Sequence, residues 1–381
     1  MSKVKFGDIV KDVKINVDRD NNPYEFYVAG DHMDSEDLNI HRRGRFATDD
    51  VGPAFTRMFK KGQVLYGSRR TYLKKVAVAD FDGICANTTF VFESKDPTVF
   101  EQQLLPFLML SERFTNWSIT HSKGSTNPYV LFSDLASYEF DLPSLAEQKV
   151  LAEKLWAAYE VKQSYLKMIA ATEEMVKAQF IEMFGGVTNS NPLFNVIAVT
   201  FPGEWGEDDN DGTGIKVIRT TNFTNIGKLN MKDVVTRKID PVKISKKKLQ
   251  KGDIILERSG GTNENPVGRV VYFEEDGDFL FNNFTQLLRC KNEYNSIFVF
   301  YALFCYYQSN KTALRQMAKK TTGIMNLKMD DYWKIPIPDV DLEAQEKFVK
   351  IYKQADKSIS ELRKSVDAID KVIKSLINEN L

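Results

Sequence analysis

The sequence predicts an α/β (α+β) protein: two similar mixed domains separated by two long helices that form an antiparallel coiled coil. Three observations carry this. First, the layout occurs twice, since Lys61-Gly62-Gln63-Val64-Leu65-Tyr66 returns as Lys251-Gly252-Asp253-Ile254-Ile255-Leu256 at an offset of 190 residues. The same offset matches Tyr27-Val28 with Val217-Ile218, each an apolar pair leading into a polar loop. A period of that size is a domain plus a spacer and far exceeds a solenoid unit. Second, Leu142-Pro143 before Glu147-Gln148 and Ile337-Pro338 before Ala344-Gln345 each open a long heptad-patterned stretch. Third, 381 residues with 43 % hydrophobic and 12 % aromatic content suffice for two cores of ordinary size.

Residues 1–143 read as the first domain. Strands are expected at Tyr24–Ala29, Gln63–Tyr66, Lys75–Ala79 and Thr88–Phe92, where β-branched and aromatic residues run between turn signals such as Asp82-Gly83. A helical stretch is expected near Pro97–Asn116. Residues 144–186 form a helical spacer. Ser144 is placed to cap it, with Glu147 three residues on completing a capping box. Leu151, Leu155, Ala158, Tyr165, Ile169, Thr172, Val176 and Met183 then fall on four- and three-residue steps, with Lys162 and Gln179 as weak members. Gly185-Gly186 stops the helix. Residues 187–340 are the second domain, with strands expected at Ile215–Arg219, Asp253–Glu257, Arg269–Phe273 and Thr285–Arg289.

Residues 341–381 hold the cleaner seam: Phe348, Tyr352, Ala355, Ile359, Leu362, Val366, Ile369, Ile373 and Leu376, in strict four-three alternation. Such a stripe needs an apolar partner. The first helix is the nearest one. An antiparallel pair would set one domain at each end of a rod of roughly 50 Å, at about 1.5 Å per residue. Roughly 15 base pairs of duplex span the same length. A parallel zipper between two chains is the competing arrangement.

Formal net charge is zero, but the charge is unevenly distributed. Val51 to Ala79 contains no acid and carries Arg57, Lys60, Lys61, Arg69, Arg70, Lys74 and Lys75. The matching stretch Arg237 to Lys251 carries Arg237, Lys238, Lys243, Lys246, Lys247, Lys248 and Lys251 against the single Asp240. Basic patches at matched places can neutralise phosphates even on a neutral chain. A solvated basic face is the plainer reading of either patch alone. No apolar run approaches the roughly 18–20 residues of a membrane span, and the first residues lack a signal-peptide core. Cys85, Cys290 and Cys305 are scattered without metal spacing, as in a reduced cytoplasmic protein. His32, His41 and His121 are the only histidines, which argues against a multi-histidine metal site.

Gly62-Gln63-Val64-Leu65-Tyr66-Gly67-Ser68-Arg69-Arg70-Thr71-Tyr72-Leu73-Lys74-Lys75, followed by Asp82-Gly83-Ile84-Cys85, resembles the target-recognition domains of type I restriction–modification specificity subunits. So does Lys251-Gly252-Asp253-Ile254-Ile255-Leu256-Glu257-Arg258-Ser259-Gly260-Gly261 with Gly268-Arg269-Val270-Val271. The exits Leu142-Pro143-Ser144-Leu145-Ala146-Glu147-Gln148 and Ile335-Pro336-Ile337-Pro338 with Glu343-Ala344-Gln345-Glu346 resemble that family's entry into its helical conserved regions. The likeness covers nearly the whole chain. Its specificity lies in the order and the duplication rather than in one motif.

The resemblance implies a DNA-binding subunit that selects a bipartite target in double-stranded DNA, one domain per half-site. Methylation subunits docked on the helices would carry S-adenosylmethionine, and a motor-nuclease subunit would cleave. On that reading S-adenosylmethionine, ATP and Mg²⁺ belong to the partners, with no cofactor, metal or catalytic residue in this chain. The helix pairing would rest on Leu151, Leu155, Tyr165, Ile169 and Val176 against Tyr352, Ile359, Leu362, Val366, Ile369 and Ile373.

Polar loops directly after a core strand are where base-reading groups would be mounted. His32, in Gly30-Asp31-His32-Met33, sits opposite Asn222 in Arg219-Thr220-Thr221-Asn222. Arg69, Arg70, Arg258 and Arg269 can each bond guanine or phosphate bidentately, or close an ion pair within the fold. Lys60, Lys61, Lys74, Lys247 and Lys248 suit phosphate contact, and Arg219 and Thr221 complete the candidates.

Two rivals belong to other classes: a fused methyltransferase or nuclease, and a coiled-coil adaptor binding protein alone. For the first, Asn127-Pro128-Tyr129 lacks the second proline of an adenine-methylation loop and reads as a polar turn. No phosphate-binding P-loop occurs. Asp82 with Glu93-Ser94-Lys95 has a nuclease-like order, without a counterpart in the second repeat.

Overall fold

The computed structural model describes residues 2–19, 21–321 and 323–381. The chain divides into two compact units, residues 1–168 with 361–381, and residues 169–360.

The first unit holds two four-stranded sheets. One runs in the order Val10–Asp12, Thr89–Ser94, Val64–Gly67, Val76–Val78, antiparallel throughout. The other runs Gly44–Arg45, Phe26–Val28, Gly83–Ala86, Phe55–Phe59, with its central pair parallel. Side chains alternate across a strand, and here the two faces feed two different cores. Val64, Tyr66, Val76 and Phe92 enter the core shared with the helices, while Leu65, Ala77 and Val91 enter the core beneath the second sheet. Burial on both faces is why Val64-Leu65-Tyr66 reads as a continuous apolar run rather than an alternating one.

The second unit repeats this division. Its first sheet runs Ile197–Pro202, Thr285–Cys290, Ile254–Glu257, Val270–Tyr272. Ile254, Leu256, Val270 and Leu288 face the helical core, and Ile255, Val271 and Leu287 face the other one. Its second sheet runs Glu207–Asp208, Val235–Lys238, Ile215–Ile218, Phe279–Phe281, and again contains one parallel pair, here at the edge, Ile215–Ile218 with Phe279–Phe281. Each domain is zipped shut where it meets the helices. Ser2–Lys5 pairs with Glu139–Leu142, and Ser190–Pro192 pairs with Pro336–Pro338.

The helical stretch expected near Pro97–Asn116 is a correction. It begins as a 3₁₀ turn at Gln102–Leu104 and splits into helices Leu105–Leu110 and Glu112–Thr120. Ser111 makes the break: its backbone is extended at ψ 148° and its buried hydroxyl accepts the Phe114 N–H at 3.2 Å. A serine that caps a new helix cannot continue the old one.

The long helices span Leu145–Phe184 and Leu342–Asn380. Ser144 and Glu147 form the capping box, Ser144 N–H donating to Glu147 Oε2 at 2.9 Å. Within the first unit the pair is antiparallel. As the first helix advances from Val150 to Lys162, the residues beside it fall from Asn380 and Leu376 to Asp370, which binds Lys162 Nζ at 2.6 Å. Leu151, Leu155 and Tyr159 share a core there with Ile373, Ile377 and Leu381. Within the second unit Val176, Phe180 and Phe184 pack with Phe348 and Ala355, the rings of Phe180 and Phe348 lying 5.0 Å apart. Ile169 is buried, and Tyr165, Tyr352, Ile359, Leu362, Val366 and Ile369 are half-buried. Toward its end the first helix buries Phe180 and Phe184 in place of the expected Gln179. A straight helix drifts away from a 3.5-residue repeat, and here the drift brings two large rings onto the domain core.

A duplicated glutamine ties each helix start to its domain. Gln148 is fully buried, donates to the carbonyls of Val99 and Pro143, and accepts the Glu101 N–H at 2.9 Å. Gln345 does the same with Val340 and Glu293, accepting the Asn295 N–H at 2.8 Å. Gln148→Leu or Gln345→Leu orphans three backbone groups, and each is expected to cost about 2–4 kcal/mol in urea unfolding. A loss below about 0.5 kcal/mol would show that water replaces the clamp.

Candidate nucleic-acid interface

In each domain the candidate residues fall at two ends of one central strand. In the first unit Lys60 and Lys61 precede Val64–Gly67, while Arg69, Arg70 and Lys74 follow it. Four strand residues at about 3.3 Å each separate the two groups by roughly 13 Å or more. The preceding turn uses Gly62 at φ +87°, matched by Gly252 at φ +96°. Lys60 and Lys61 are exposed there, their backbone N–H groups bound by Gln63 and Asp82.

At the other end the chain is held in an unusual shape. Arg70 (φ 51°, ψ 54°) and Lys74 (φ 48°, ψ 48°) are both left-handed and flank a 3₁₀ turn at Thr71–Leu73. Left-handed backbone at a non-glycine costs roughly 1–3 kcal/mol where the surroundings impose it. The restraints are visible: Arg70 N–H donates to Pro128 O at 2.7 Å, and the buried Ser68 donates to Thr88 O. The loop after Phe26–Val28 joins this end. Lys75 Nζ donates to Gly30 O at 2.5 Å, and Ser35 bridges Lys75. His32 Nδ1 accepts the Ala29 N–H at 3.1 Å, which leaves the ring proton on Nε2 in the neutral form. Lys74 is paired with Glu36 at 2.9 Å, and Glu36 also meets Lys374 at 3.6 Å. Burial works against the Glu36 charge, yet the two lysines hold its carboxyl below the usual range.

The second unit has the same division. Arg219, Thr221, Asn222, Arg258 and Arg269 gather past the end of Ile254–Glu257, and Lys247 and Lys248 lie before its start. Arg269 closes a bidentate pair on the buried Glu257 at 2.8 and 2.9 Å, and donates to the carbonyls of Thr220 and Phe223 at 3.3 Å. It joins strand end to loop. Asn222 is 2 % exposed, accepts the Arg219 N–H and donates to Asn230 O, so its amide is spent inside the loop. Arg219 donates to Asp233 O and Arg258 to Gln286, while Thr221 is exposed.

A helix contact anchors each post-strand loop. Tyr159 hydroxyl donates to Asp37 and accepts the Leu38 N–H at 2.8 Å. At the matching helix position, 197 residues on, Asp356 binds Lys228 at 2.8 Å. The contact persists although the chemistry has changed. Burial opposes ionisation of Asp37, but hydrogen bonds from Tyr159, the Asn39 N–H and His41 hold its carboxyl below the usual range.

The family model for the type I restriction modification DNA specificity domain matches residues 5–164 and again residues 200–369. The chain belongs to that family. Over 133 residues it is 29 % identical to the Type I restriction enzyme EcoDI specificity subunit of Escherichia coli, covering 35 % of this chain and 29 % of that relative's length. The fold is similar to the type I restriction–modification S subunit from M. genitalium, at TM-score 0.60 and 14 % identity over 100 % of this chain and 96 % of the other. It is also similar to a chain from the type I R-M system solved for its complex assembly and conformational transition, at TM-score 0.53 and 18 % identity over 100 % and 98 %.

For a member of this family the charge distribution is informative. Among the described residues Lys60, Lys61, Arg69 and Arg70 make no ion pair. The second repeat is different: Lys247 binds Glu204 at 2.7 Å, Lys248 binds Asp278, Lys243 binds Glu204 and Lys251 binds Asp276. The acidic stretch Glu204–Asp211 thus neutralises much of the basic run that follows it in sequence. The residues in nuclease-like order also have structural partners. Glu93 binds Lys11 and Gln63, Asp82 accepts the Lys61 N–H, and Lys95 Nζ donates to Gly7 O. Asn127-Pro128-Tyr129 is the polar turn expected, and it closes a short hairpin at residues 121–130 through the bridge of Tyr129 to Lys123. The signal for it lies in Gly124-Ser125-Thr126-Asn127-Pro128, a run of turn residues between Lys123 and Tyr129. Among the described residues no group of three or more His, Cys, Asp or Glu could hold a metal, and no helix is long and apolar enough to cross a membrane.

Proposed function

We propose that this chain is the DNA sequence-recognition subunit of a type I restriction–modification complex, reading a bipartite duplex with one domain per half-site. The observation that carries it is the duplicated loop cluster past the central strand, built on a chain of the specificity-domain family. The chain performs no chemistry itself. It positions duplex DNA for methylation subunits docked on its helices, which present exposed apolar residues: Val150, Val161, Leu166 and Met168 in the first unit, Met175 and Ile181 in the second. Those partners hold S-adenosylmethionine, and a motor-nuclease partner uses ATP and Mg²⁺. The complex works in the cytoplasm. Arg69, Arg70, His32, Arg258 and Thr221 are the contact groups on this reading. In the second domain Arg269 and Asn222 shape the loop that carries Thr221.

The test is a single-molecule methylome of cells carrying the chain and a cognate methylation subunit, against cells lacking only the chain. An interrupted two-part motif should gain N6-methyladenine only when the chain is present. Unchanged motifs, with the methylation subunit active on another specificity chain, would favour a protein-binding adaptor.

A further inference from the structure

A short β-hairpin stands beside the loop past the central strand in both domains. In the first, Lys123 and Tyr129 exchange backbone hydrogen bonds at 2.7 and 2.9 Å, and Tyr129 bridges Arg69. In the second, Ala318–Thr321 pairs with Ile324–Leu327, whose Asn326 and Met325 pair with Ser259 and Gly260. Arg69 and Ser259 are 190 residues apart and Tyr129 and Asn326 are 197 apart, the same offsets as the rest of the duplication. Gly124 and Gly323 both turn their hairpins at φ +86°.

The hairpins display side chains of kinds that hydrogen-bond base edges or meet phosphate. Ser125, Thr126 and Asn127 are exposed at the first tip, and Lys123 beside them is tied to Asp134 at 3.2 Å. Tyr72 is 54 % exposed in the adjoining loop, and Arg69 lies 6.0 Å from the ring of Tyr129. The second hairpin carries exposed Lys319 and Lys320, which make no ion pair among the described residues, with Ile324 exposed on the opposite strand. In the Lys243–Lys251 run of that domain Lys243, Lys247, Lys248 and Lys251 are already paired with acids, so Lys319 and Lys320 are among its remaining cations. The major groove, about 12 Å wide, admits a two-stranded ribbon, and Asn, Ser and Thr side chains hydrogen-bond base edges there.

We infer that these hairpins are the elements that enter the major groove, with Ser125, Thr126 and Asn127 reading bases in the first half-site and Lys319 and Lys320 seating the second hairpin on phosphate. This rests on the DNA-recognition reading above. The test uses the full chain assembled with its methylation subunits, methylating a randomised duplex library. The triple variant Ser125→Ala, Thr126→Ala, Asn127→Ala should relax one half of the target roughly ten-fold or more at one position, and leave the other half intact. The intact half also reports that the variant is folded.

A triple variant that methylates the original motif at the original rate overturns the hairpin assignment but leaves DNA recognition standing. A wild-type complex without any motif sinks both. Should the triple variant lose all methylation, a photo-crosslinking residue at position 127 decides. Crosslinks to bases of one half-site support the inference, and their absence from the target overturns it.

Discussion

Asp253→Ala is expected to cost the second domain about 3–5 kcal/mol. Asp253 is 1 % exposed and receives Arg289 through Nε and Nη2, both at 2.7 Å, while its Oδ2 also accepts the Gln250 N–H at 2.7 Å. Removing the carboxylate orphans a guanidinium and a backbone donor together. Arg289 is 26 % exposed and regains part of its hydration, which holds the loss toward the lower figure. The matched position in the first domain is Gln63, which donates to Glu93 at 2.6 Å. Gln63→Ala leaves Glu93 with Lys11 and is expected to cost about 1–2 kcal/mol. Burial disfavours the Glu93 charge, yet Lys11 and Gln63 hold its carboxyl below the usual range. Its contribution is therefore present above the unfolded carboxylate pKa and is lost as pH falls through the lower folded value. Hydrogen exchange separates the two domains: Asp253→Ala should deprotect Ile254–Glu257 and spare Val64–Gly67. Equal deprotection of both strands would contradict independent cores.

Leu155→Asp should have the other large effect, more than about 4 kcal/mol. Leu155 is fully buried in the core that holds Tyr159, Ile373 and Ile377. A carboxylate there must ionise without a partner or stay protonated, and either way the packing is lost. Leu155→Ala leaves only a cavity and should cost about 2–5 kcal/mol. Ile359→Asp and Ile369→Asp, at half-buried seam positions, should fall below both. Because Tyr159 on the same face holds Asp37, disturbing this helix should also loosen the loop carrying His32 and depress methylation by the assembled complex. Val161→Asp is the contrasting variant. Val161 is exposed, so melting should stay near wild type while co-purification with the methylation subunit declines. Leu155→Asp melting with the wild type would refute the helix-pair packing.

The two predictions use different kinds of information. Leu155 is legible from the sequence, because a heptad stripe on a soluble helix demands burial. Asp253 is legible only as a member of a repeat. Its counterpart is an uncharged glutamine, and nothing local announces that Arg289, thirty-six residues away, comes back to meet it. Gln148 and Gln345 are likewise visible as duplicated letters, while their three-way clamps depend on where the chain returns.

The sequence by itself determined the duplication, the paired long helices and the apolar central strands. Each of these is written in local periodicity, and burial of an apolar stripe or run follows from its spacing wherever the chain goes. It did not determine that Lys60 and Arg69 stand at opposite ends of one strand, or that Glu204 and Asp278 neutralise the second basic run. Nor did it reveal that hairpins at 121–130 and 318–327 join the loops that follow the central strands. Those are meetings of residues tens of positions apart. A charge in a sequence has no partner until strand pairing and turns bring one within a few ångströms, where Coulomb attraction becomes decisive. Which cations find an ion-pair partner within the fold was therefore decided by tertiary structure alone.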